Sequence, residues 1–117
     1  MPYLLMLLLA LHALSAIFWA GSTFVMARSG GRGAEELFRP QMGAATVVVL
    51  TGAILWSMTY GSNFSPSAGV LALGVLTALA AAGVQGALRA NPERAHRIAA
   101  PLLAITIVCM VTARYVG

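Results

Sequence analysis

LHALSAIFWAGSTFVMAR, residues 11–28, is an apolar run with an imidazole set inside it. The run extends upstream to about residue 2, so the whole stretch is longer than the about 20 residues that cross about 30 Å of hydrocarbon. Three further apolar stretches follow, and the candidate helices cover about residues 2–27, 41–60, 67–89 and 92–115. Together they use up nearly all of the 117 residues, of which 60% are hydrophobic and 9% charged, a balance that excludes an ordinary soluble domain. Backbone amides have no water to bond inside a bilayer, and these runs are too long for barrel strands, so the spans read as helices. The expected fold is all-α: a single-domain integral membrane four-helix bundle, up-down-up-down. The first run has no basic segment before it and exceeds the apolar core of a signal peptide, so it reads as helix one.

Charge placement orients the bundle. The chain has seven Arg, three Glu and no Lys, for a net charge of +4. Arg28, Arg32 and Arg39 fall in the first loop and Arg89, Arg94 and Arg97 around the third, whereas the second loop, GSNFSPS, has none. The positive-inside rule then puts loops one and three in the cytoplasm and both termini on the outer, periplasmic side. These arginines set topology, and no nucleic-acid partner is expected. Abundant Ala, Gly and Arg without Lys is the composition of a GC-rich bacterial genome, so the expected location is a bacterial inner membrane. Cys109 is the single cysteine, which rules out an intrachain disulfide and reads as a small packing residue.

The loops carry helix-start chemistry. Glu35, Glu36, Leu37 and Phe38 read as a short interfacial turn, with Pro40 in the first turn of helix two. Ser65 caps and Pro66 opens helix three; Asn91 caps and Pro92 opens helix four, where Glu93 meets the positive end of the helix dipole. Pro101 falls inside helix four, where a bend is expected. On helix three, Gly74, Ala78, Ala81 and Gln85 share one face and offer a surface for close helix approach.

With His12 as zero on a helical wheel, Ser15, Trp19, Ser22, Thr23 and Met26 fall within roughly 80° of it. Helix one therefore carries a polar stripe that should face the bundle. Counting about 1.5 Å per residue from the outer ends of the spans places His12 near the level of Thr51, Thr77 and Thr106. An ionisable side chain at such depth points to function, although a neutral His can also serve only to bond a neighbouring helix. His96 lies roughly 20 Å away along the membrane normal, too far to share a metal with His12, and in the setting ERAHR it reads as interfacial. The six Met form no MxxM or MxM cluster, but Met58 and Met110 would both lie toward the outer face, where a His and soft thioethers suit copper or haem iron. Arg114, near the outer end of helix four, can snorkel or pair with a propionate. The three Glu lie in loops and there is no Asp, so no catalytic constellation emerges and enzyme activity stays open.

LHALSAIFWAGSTFVMAR resembles the first helix of the copper-resistance protein D family and of its relatives, the HemJ-type protoporphyrinogen oxidases, with a His, a Trp seven residues on, and small residues after it. FRPQMGAATVVVLTGAILW resembles their second helix with its Thr-Gly, and ERAHRIAAPLLAITIVCMV resembles the last helix of the HemJ type, with its internal Pro. The resemblance implies a four-helix bundle, with haem b on the first-helix histidine, His12, in the HemJ type, or copper handling in the other group. The functional lysine of the HemJ third helix has no counterpart in this chain, where Gln85 is the polar group of that region.

Three functions follow as expectations. In one, the chain handles haem b, with His12, Trp19, Thr51 and Arg114 forming the site, as a five-coordinate centre or a homodimer pairing two copies of His12. In another, it handles copper through His12 with Met58, Met110 or Cys109. In the third, it is a cofactor-free accessory subunit of a larger membrane complex.

Overall fold

The computed structural model describes residues 2–59 and 65–116, and every regular element among them is helical. Helix α1 spans Pro2–Ser29, α2 Ala34–Thr59, α3 Pro66–Ala87 and α4 Pro92–Thr112, followed by a 3-10 turn at Ala113–Tyr115. All four helices are long and apolar enough to cross a membrane. The molecule measures 41 Å along its longest axis, which matches the about 40–45 Å of a bilayer with its headgroups.

Local chemistry sets the helix ends. Helix α1 stops in a left-handed glycine turn: Gly30 has φ 77° and the Gly31 amide bonds the Met26 carbonyl at 2.8 Å. That is the six-to-one bond that closes a helix C-terminus. A Cβ on Gly31 would stand 3.0 Å from the Glu93 nitrogen, so the first loop lies directly on the start of α4. Ser65 accepts from the Ala68 amide at 3.2 Å and Asn91 from the Arg94 amide at 3.4 Å, with Pro66 and Pro92 opening their helices as expected.

Helix two begins earlier than its apolar run. The stretch Glu35–Phe38, expected as a separate interfacial turn, belongs to α2 itself, and Pro40 lies inside the helix, not in its first turn. Glu35 and Glu36 occupy the first turn, where the helix dipole favours negative charge. Pro40 removes only one amide donor, the one that would bond the Glu36 carbonyl, and the remaining ladder carries the helix past it.

Packing follows small residues. The buried face of α3 is Ala68, Gly74, Ala78, Ala81 and Gln85, and that of α4 is Ala95, His96, Ala99, Leu103, Thr106 and Cys109. These faces meet closely: a Cβ on Gly74 would come within 3.0 Å of the Cys109 Cβ. Trp19 sits at the centre of a core otherwise made of Ala20, Ala45, Val48, Ala78, Ala81, Ala99 and Leu103. Large apolar side chains such as Leu7, Leu9, Leu14, Leu50 and Leu73 point outward, the arrangement of helices whose solvent is lipid. Helix α1 packs on α2 and α4, and α3 on α4, but α2 and α3 scarcely touch. They are drawn together at the arginine-rich end, where the Arg89 guanidinium lies 4.0 Å over the Phe38 ring. The bundle is open along the rest of that seam.

Candidate functional site: an imidazole in an apolar cleft

In the half of the bundle away from most of its arginines, the loose seam widens into a cleft of about 790 Å³. Residues of all four helices line it, among them His12, Val48, Trp56, Leu76, Thr106 and Met110. That volume lies within the range of small-molecule and cofactor sites, about 300–1,000 Å³.

The polar stripe of α1 places His12 in this wall, half-buried. Its Nδ1 lies 2.9 Å from the Thr51 hydroxyl oxygen. The Thr51 hydroxyl donates to the Val47 carbonyl at 2.6 Å, so its oxygen is left to accept from the imidazole. Nδ1 therefore carries the proton toward Thr51 and the lone pair is left on Nε2, and the ring has the Val48 backbone as a further hydrogen-bond partner. Across from the ring sits Gly52, where a Cβ would stand 3.2 Å from Cε1. The missing side chain is what gives the imidazole its place. Thr106, on another wall, has no such freedom: its hydroxyl lies within bonding distance of the Leu102 and Gly74 carbonyls and 2.7 Å from Thr77. The expected layer of hydroxyls thus divides, with Thr51 serving His12 and Thr77 pairing with Thr106.

The other expected site residues are dispersed. Met110 lines the cleft, but Met58 is exposed and does not. Cys109 is buried against Gly74. The backbone of Arg114 lies in the 3-10 turn and its side chain falls outside the described residues. Trp19, expected beside the cofactor, is buried in the core and absent from the cleft wall. Among the described residues, no three His, Cys, Asp or Glu side chains gather as a metal cluster.

Below the cleft lies a second polar layer that composition alone did not reveal. Trp19 Nε1 donates to Gln85 Oε1 at 2.7 Å, Gln85 Nε2 donates to Thr23 at 2.8 Å, and the Thr23 hydroxyl donates to the Trp19 carbonyl at 2.7 Å. This closed triangle joins α1 to α3. Beside it, Gln41 Nε2 donates to Ser22 at 2.9 Å, and Gln41 Oε1 lies 3.3 Å from His96 Nε2, joining α1, α2 and α4. His96, in its charged setting near the start of α4, is buried between helices: it is 4% exposed, because its position falls on the same buried face as Ala95 and Ala99. The signal for both glutamines was available, since an amide within an apolar helix must find a partner.

Comparison with family models, curated proteins and solved structures finds no match to this chain.

Proposed function

We propose that the chain is a bacterial inner-membrane protein that holds haem b through His12 Nε2 and serves electron or haem transfer. The observation that carries this reading is an imidazole, held by Thr51 at Nδ1, in the wall of an apolar cleft of about 790 Å³. The site residues suit the group in two respects. Thr51 fixes the tautomer and the ring plane, as the outer partner of an iron-ligating histidine does. The apolar walls accept a porphyrin face, and Gly52 keeps the space beside the ring clear. Bound there, haem would supply a one-electron couple, and its surroundings would be set by this chain's low-polarity walls. His12 orients the group, and the cleft excludes water from it.

In this reading the bundle runs up-down-up-down, with loops one and three in the cytoplasm and both termini in the periplasm. Each chain brings one suitable imidazole, so a bis-histidine centre requires two copies, and a single copy gives a five-coordinate one. Copper is the weaker alternative, because Met58 stands outside the cleft and Cys109 is packed under α3.

The test is an absorption spectrum of the purified protein, oxidised and then dithionite-reduced, with metal analysis of the same sample. A Soret band with reduced α and β bands, lost in His12→Ala, is the expected result. A colourless protein with stoichiometric copper would replace haem with copper, and one with neither would leave an accessory subunit of a larger complex.

A further inference from the structure

His96 and Gln41 present a donor–acceptor conflict that the haem reading does not use. Nδ1 of His96 lies 2.8 Å from the Pro92 carbonyl and Nε2 lies 3.3 Å from Gln41 Oε1. Both partners are oxygens that only accept. Satisfying both requires a proton on each ring nitrogen, which makes the ring an imidazolium. A neutral ring protonated at Nε2 alone would leave two lone pairs facing each other across 2.8 Å at Pro92, so the neutral form must keep its proton on Nδ1. Nε2 is then an acceptor, and Gln41 must turn its amide over to offer Nε2–H to it. The turned amide points Oε1 at Ser22, whose hydroxyl must leave the Trp19 carbonyl, 3.1 Å away, and donate to Gln41 instead. That carbonyl still has Thr23.

The site thus has two self-consistent hydrogen-bond patterns that differ by one proton. We propose that His96 is a buried proton-binding switch, whose charge state sets the direction of the Gln41 amide and of the Ser22 hydroxyl on α1. The proton comes from water at the arginine-rich end and returns there. The charged groups on the surrounding elements are Arg28 on α1, Glu35, Glu36 and Arg39 on α2, Arg89 just after α3, and Glu93, Arg94 and Arg97 on α4. All of them are exposed, and Glu93 pairs with Arg97 at 3.0 Å. No carboxylate is buried with the imidazole to hold it charged permanently. Its partners are the neutral Gln41, itself 1% exposed, and a backbone carbonyl, and these can serve either state.

The experiment is an NMR titration of the cofactor-free wild-type protein, labelled with ¹⁵N, in lipid nanodiscs. The pH is carried across the range of about 5 to 8 over which an imidazole ordinarily changes charge. The His96 ring signals are assigned by their loss in His96→Gln. The expected result is a single-proton transition of the His96 ring nitrogens, with the Gln41 side-chain amide moving at the same midpoint. A ring that keeps one protonation state throughout, or one that titrates while the Gln41 amide stands still, overturns the proposal. None of these readouts depends on haem, so the switch and the haem reading stand or fall separately.

Discussion

Thr51 presents a lone pair to His12 because its own proton is engaged by the Val47 carbonyl, and that one bond decides which imidazole nitrogen is free. On the haem reading, Thr51→Val should remove the acceptor and lower haem retention, while Thr51→Ser should restore it; pyridine haemochrome assays on the purified variants read this directly. The stability cost should be small, about 1 kcal/mol, since the ring is only half-buried. Gly52 makes a second residue-level prediction. Its added Cβ would meet Cε1 at 3.2 Å, a distance at which the ring must shift by a few tenths of an ångström. Gly52→Val should therefore displace the imidazole more than Gly52→Ala, and on the haem reading it should lose more haem. Equal occupancy in both would mean that the ring is not held where the cleft needs it. His12 itself was legible in the sequence, as an imidazole that a membrane helix has no reason to keep without a partner. Its bond to Thr51 was also within reach of a depth count, because straight helices of known rise convert residue number into height.

Between helices, small residues allow approach and amides hold the result. Gln85 accepts from one α1 group and donates to another, so Gln85→Leu would strand both the Trp19 indole N–H and a Thr23 acceptor position. Unfolding in mixed micelles should show a loss of about 1–3 kcal/mol. An unchanged unfolding midpoint would mean that the triangle contributes no net stability. Gly74→Leu should also destabilise the bundle, by about 1–3 kcal/mol, because the first atom of the new side chain already meets Cys109. The α3 stripe and the Ser65, Pro66, Asn91 and Pro92 helix starts follow from local chemistry, and the structure has them. The start of α2 does not, because a proline looks like a boundary even where one lost hydrogen bond is affordable. The burial of His96 was equally hidden: charged neighbours in the chain describe the adjacent faces of a helix, not the face a residue occupies. Trp19 shares a stripe and the family-like motif with His12, and the stripe runs past the cleft into the core, where Trp19 is buried.

Taken whole, the molecule is unequal along its length. Toward the arginine-rich end, Trp19, Gln85, Gln41 and His96 tie all four helices, Arg89 covers Phe38, and the first loop lies on the start of α4. Toward the other end, α2 and α3 stand apart around the cleft. If the arginines face the cytoplasm, a reporter fused to the C-terminus should be active only outside the membrane, and cytoplasmic activity would reverse the assigned orientation. The bundle is in effect a pair of tongs with its pivot among the amides. On the haem reading the guest sits between the jaws, where α2 and α3 stand apart, and its exchange should be far faster than unfolding. Amide hydrogen exchange should show the same asymmetry, with residues 48–56 and 72–78 opening well before those around Gln41 and Gln85. A ligand could then come and go on its own clock, and a variant that loses it would still be a folded protein.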